Sequence, residues 1–138
     1  MKITFSVPGD CKSMQTGSVV RTKDGRAFPI RRNTAYAERV YYQACQVAPE
    51  KPIEGPVAVT IIIDRTRPKS LPKKIEHPIQ HPDIDNNLKG LLDAMNGVIY
   101  KSDSQVVSLY AIKRFGYPPG VQILIETVIE LACYEEVK

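Results

Sequence analysis

At 138 residues, 43% apolar and 25% charged, the chain has the make-up of one folded domain, 1–138, with a real core, not of a disordered segment. No apolar run approaches a membrane span, and the opening MKITFSVPGD is too short and polar for a signal peptide. The net charge of +4 hides a division: residues 1 to 74 hold fourteen Lys or Arg against six Asp or Glu, and residues 75 to 138 hold five against nine. Three widely spaced cysteines, Cys11, Cys45 and Cys133, suit free thiols in a reducing cytosol better than a disulfide or zinc framework.

Lys2 to Val7 alternates, with Ile3, Phe5 and Val7 on one face, and predicts a half-buried strand. Residues 8 to 32 are basic and punctuated by Gly and Pro, a loop with room for a small hairpin at Asp24-Gly25. Asn33 or Thr34 caps a helix to about Ala48, with Tyr36, Val40, Ala44 and Val47 on its buried stripe. A connection over residues 49 to 56 leads to a strand, Val57 to Asp64. Its near-continuous apolar content predicts a central strand covered on both faces.

Residues 65 to 82 form a long loop punctuated by Pro68, Pro72, Pro78 and Pro82. Arg65, Arg67, Lys69, Lys73 and Lys74 stand in it with no acid before Glu76, a pattern that fits a solvated charge run and, better, a DNA-backbone contact. His77 and His81 lie four apart, but each precedes proline, which argues against a helical metal pair.

From Ile84 the apolar residues Leu88, Leu91, Leu92 and Met95 recur with helical period, and Asn96-Gly97 supplies a stop. Asp83 and Asp85 sit where extended chain becomes helix, with Lys89 one turn on and Asp93 a further turn along the same stripe. Residues 105 to 115 and 121 to 131 read as strands joined in a hairpin by Gly116-Tyr117-Pro118-Pro119-Gly120. The expected order is β-α-β-α-β-β: an α+β domain with two helices on a mixed or mostly antiparallel four-stranded sheet.

Oxygen ligands like these suit hard divalent cations, and phosphoryl chemistry uses both such cations and a lysine. A basic half joined to an acidic half suits a polyanion held on one surface and cut at an acidic site. Taken singly, each residue has a plain reading. Asp83 or Asp85 is an N-cap, Lys89 an i, i+4 ion-pair partner, and Asp103 a turn aspartate. A basic DNA-binding protein without chemistry, or another small Mg²⁺-dependent phosphohydrolase, shares much of the pattern. No P-loop, Ser-His-Asp arrangement or Cys-x-x-Cys is present.

The run Asp83-Ile84-Asp85-Asn86, then Lys89, Asp93-Ala94, Asn96-Gly97 and Asp103-Ser104-Gln105-Val106, resembles RusA-type Holliday-junction resolvases. The motifs span roughly residues 78 to 114. The resemblance implies Asp83, Asp85 and Asp103 as ligands of Mg²⁺ (or Mn²⁺), and Lys89 as the catalytic cation. Asn86 and Gln105 stand as secondary candidates for positioning, and Asp93 as a group that orients Lys89 or serves as an outer ligand. It also implies a homodimer acting on four-way DNA junctions in recombination and repair, in the cytoplasm of a bacterial or phage-infected cell. The family often carries paired aspartates before Gln-Val. Here Ser102 takes the first place, and only Asp103 inherits a ligand role.

Overall fold

The computed structural model describes residues 1–13, 16–31 and 34–128. Arg32 in the basic loop, Asn33 as a cap, Ile129 and Leu131 at the end of the last strand, and Cys133 lie outside the described residues. Strand β1 (Lys2–Pro8) is followed by a ribbon of β2 (Thr16–Arg21) and β3 (Ala27–Arg31), the small hairpin expected around Asp24-Gly25. Then come α1 (Thr34–Val47), β4 (Val57–Arg65), α2 (Ile84–Met95), a short 3₁₀ turn at Asp103–Gln105, β5 (Val106–Phe115) and β6 (Gly120–Thr127). The four-stranded sheet has the order β1-β6-β4-β5. β6 is antiparallel to β1 and β4, and β5 is parallel to β4. This is the mixed α+β arrangement expected.

The strand alternation builds the core directly. Ile3, Phe5 and Val7 of β1 lie opposite Ile125, Ile123 and Val121 of β6. Those in turn lie opposite Val59, Ile61 and Ile63 of β4. All nine are buried, and Tyr36, Val40 and Ala44 of α1 with Leu91 and Met95 of α2 belong to the same cluster. Each fully buried aliphatic side chain contributes about 1.5–3 kcal/mol. β4 is central, as expected, but only one of its faces is fully covered. Ala58, Thr60 and Ile62 on the other face are half-buried, because both helices lie on the first face.

The expected final hairpin does not form. β4 lies between β5 and β6, and residues 116–119 cross over its end, where the Gly116 amide donates to Arg65 O at 3.1 Å. A Cβ at Gly116 would lie 2.7 Å from Asp64 Cγ, so a larger residue at the crossing would have to displace the Asp64 side chain. Chain proximity favours a hairpin. Burying the Val59-Ile61-Ile63 ridge with a strand on each side outweighs it.

One consequence positions the site. β1, β4 and β5 all point the same way, so their carboxyl ends gather at one end of the sheet. Both helices begin there. Arg39 of α1 donates to Pro8 O at 3.1 Å, and Lys113 of β5 donates to Pro82 O, just before α2, at 3.2 Å. Helix amino ends over strand carboxyl ends are where open α/β sheets take ligands.

Candidate active site

Asp83 is the N-cap residue of α2, with extended backbone (φ −66°, ψ 150°). Its side chain makes no capping hydrogen bond. The carboxylate instead lies 2.9 Å from His81 Nδ1, with both side chains largely in water. Asp85 follows in the first helical turn and is exposed. Two carboxylates thus stand together at the helix start, where the dipole favours negative charge, and neither is absorbed by the helix. Lys89 is exposed one turn further on, and Asn86 is half-buried beside the pair.

A side chain that sequence reasoning missed braces this corner. Lys113 Nζ donates to the carbonyls of Gln80 and Pro82, each at 3.2 Å. Arg65 Nη1 also donates to Gln80 O, at 3.1 Å. Two cations therefore hold the segment leading into Asp83. Burial, and then the neighbouring Arg65 charge, push the Lys113 ammonium below its ordinary value, while Asp83 pulls the other way. Alternation along β5 was the only signal, and it reads this lysine as one more surface charge.

Asp103 is elsewhere in the chain. It opens the 3₁₀ turn before Val106, which pairs with Val57 at the far end of β4. From Val106 to Lys113 the strand covers about 23 Å at its usual rise. Asp103 belongs with the other end of α2. Its charge and that of Asp93 reinforce burial in raising the Tyr100 phenol, whose hydroxyl donates to Leu92 O at 2.8 Å. Asp93 itself is two turns, about 12 Å, from Asp85 along the helix axis. Among the described residues, no three His, Cys, Asp or Glu are grouped to hold a metal. The donor chemistry of Asp83 and Asp85 suits a hard cation, but one chain brings two of the three expected carboxylates together.

The turn that carries Asp103 is firmly built. Ser102 Oγ accepts from the Ser104 amide at 3.2 Å, and Gln105 Oε1 accepts from the Ser102 amide at 2.9 Å, a capping box. Gln105 Nε2 also donates to Ile53 O and Gly55 O, both at 2.8 Å. Gln105 therefore braces the turn on which Asp103 stands. Ser102 performs a capping task that an aspartate performs equally well.

The basic loop divides. Arg67 donates to Ile75 O and Pro72 O at 2.7 and 2.8 Å and lies over the Phe115 ring, 5.2 Å from its centroid. Its guanidinium shapes the loop. Lys69, Lys73 and Lys74 are exposed.

Asn87 is fully buried, and neither its amide nitrogen nor its carbonyl oxygen has a hydrogen-bond partner. The helical pattern hid this, because Asn reads as polar although position 87 falls on the buried stripe with Leu91. An unmet buried amide costs about 1–3 kcal/mol. Asn87→Leu is therefore expected to raise stability by that order. A urea denaturation series should show a higher midpoint at unchanged slope.

An α+β domain with a carboxylate pair and bracing cations at one end of its sheet has the make-up of an enzyme acting on a phosphodiester polyanion. Comparison with known proteins names the group. The model of the endodeoxyribonuclease RusA family matches residues 8–126. The chain belongs to that family, which implies endodeoxyribonuclease activity. It is also 33% identical over 138 residues to the uncharacterized protein YqaN of Bacillus subtilis (strain 168), covering 91% of this chain and 96% of that one. No helix among the described residues is long and apolar enough to cross a membrane.

Proposed function

We propose that the protein is a Mg²⁺-dependent endonuclease (Mn²⁺ also serving) that resolves four-way DNA junctions by paired cuts. It does so as a homodimer in the cytoplasm of a bacterial or phage-infected cell. The observation that carries this reading is Asp83, which occupies the capping position of α2 without capping, beside Asp85. Bound by these carboxylates, Mg²⁺ would supply an activated water and neutralise charge on the scissile phosphate. Lys89, one turn on, stabilises the charge that develops as the bond breaks. Asn86 and Asp93 are positioning candidates on the same helix. Arg65, Lys69, Lys73 and Lys74 contact the DNA backbone, and Arg67 holds their loop in shape.

The third carboxylate supports a dimer. A four-way junction is two-fold symmetric, and matched cuts need two sites. β5 is an edge strand with an unpaired backbone edge, and apolar residues on it are exposed: Val107 is 50%, Leu109 42% and Tyr110 60% exposed. Such an edge invites pairing with a second copy. Antiparallel pairing centred between Leu109 and Tyr110 sets Val106 against the partner's Lys113. Asp103 then approaches the corner where the partner's Asp83 sits, which gives each site its third carboxylate.

The test is cleavage of a synthetic four-way junction against a linear duplex of the same sequence, across a titration of Mg²⁺. Symmetric metal-dependent nicks confined to the junction are expected. Tight junction binding with no cleavage at any divalent-metal concentration would reduce the protein to a DNA-binding module.

A further inference from the structure

A pocket of about 460 Å³ lies between the carboxyl ends of β1 and β4 and the start of α2. Lys12, Arg65, His81 and Asn86 contribute its polar walls, and Cys11 and Pro82 part of the rest. The Thr66 amide and hydroxyl donate to the two oxygens of Asp10, at 2.8 and 3.1 Å, tying the two strand ends together. That tie also occupies the one carboxylate on the wall. The cationic groups Lys12 and Arg65 are left to set the character of the space. Arg65 uses one donor on Gln80 O and has others to give. Burial pushes the Cys11 thiol up, so it remains a neutral wall group rather than a nucleophile.

We propose that this pocket is a phosphate subsite, taking a DNA backbone phosphate one or two nucleotides from the bond that is cut. The inference rests on the endonuclease reading and adds to it a substrate-holding role for Lys12, with Arg65 and Asn86 beside it. Three features support it. The first turn of α2, with N–H groups that have no helical partners, opens at the rim. His81 belongs to the pocket wall and its Nδ1 lies 2.9 Å from the Asp83 carboxylate, so the subsite and the carboxylate pair share a boundary. Phosphate contacts carry no sequence information but set register, which is what a cut at a fixed distance from a junction needs. A solvated lysine beside a shallow hollow is the plain alternative, and it predicts no dependence on any single phosphate.

The experiment couples a protein change with a DNA change. Lys12 is exposed, so Lys12→Ala should fold as the parent does. Four-way junctions are prepared with one neutral methylphosphonate replacing each of the three phosphates on either side of the cut in turn. Junction affinity in Ca²⁺ and cleavage in Mg²⁺ are measured for both proteins. One methylphosphonate position is expected to weaken the parent by roughly 10-fold, the size of one charge-assisted contact. Lys12→Ala should show a similar loss on unmodified DNA and no further loss at that position. Additive losses at every position, or a Lys12→Ala protein equal to the parent, would overturn the subsite. Because affinity is read without cleavage, a protein that binds but never cuts would sink the endonuclease reading and leave the subsite tested. Should no junction bind, inorganic phosphate is titrated while the His81 imidazole resonance is followed. A saturable shift lost in Lys12→Ala would mark a pocket for free phosphate, and no shift would overturn it.

Discussion

Asp83→Asn and Asp85→Asn are each expected to abolish junction cleavage while sparing junction binding. The substitution keeps size and a hydrogen-bonding oxygen, so His81 retains a partner at position 83 and the fold is undisturbed. Only the negative charge that recruits a cation is lost. The fall in rate should be at least the ~10²–10³ typical of one electrostatic contact in a transition state. Binding should hold or tighten, since a carboxylate beside a polyanion repels it. A fully active Asp83→Asn or Asp85→Asn protein would sink the assignment.

Asp103→Asn should be equally inactive, and a mixture then says where its carboxylate acts. Asp83→Asn and Asp103→Asn proteins are mixed, allowed to exchange, and given a supercoiled plasmid that extrudes a cruciform. In the crossed dimer, the Asp103→Asn copy still offers Asp83 and the other copy still offers Asp103, so one of two sites is whole. Nicked circles should reappear from two dead proteins. If both carboxylates acted within one chain, the mixed dimer would hold no complete site and the mixture would stay inert. That result would remove the shared-site arrangement without touching the catalytic role of either residue.

Lys89→Ala is expected to lower the cleavage rate by ~10²–10³ and junction affinity far less. Lys89 is exposed on α2, whose buried face is Asn87, Gly90, Leu91 and Met95, so its loss opens no cavity. Circular dichroism should be unchanged. Matching losses in rate and affinity would instead make it a backbone contact, and an unfolded variant would make it structural.

What could be read from the chain without its fold was local. The period of Ile84 to Met95 places a helix there, and the stop at Asn96-Gly97 follows from Gly97, whose φ is 74°. Hydrogen bonds and side-chain spacing within a dozen residues decide both. Asp83 and Asp85 therefore had to meet at a helix start in any fold. Alternation in β1 and β6 likewise named their core residues before any partner was known, because a strand turns successive side chains to opposite faces, whereas the near-continuous apolar run of β4 hid which of its faces is covered.

Only the tertiary structure decided which distant pieces meet. The sheet order came from burying both flanks of β4, a sum over many side chains that no single turn reveals, and it separated β5 from β6. The helix α2 carries the chain back along the sheet, so Asp103 emerges at the far end from Asp83, although only 20 residues part them. The same long-range packing buried Asn87, drew Arg67 into its own loop and set Lys113 behind Asp83. Spacing along a chain measures contour, and it equals distance only inside one helix or strand. Between elements, distance is set by which surfaces gain most from leaving water.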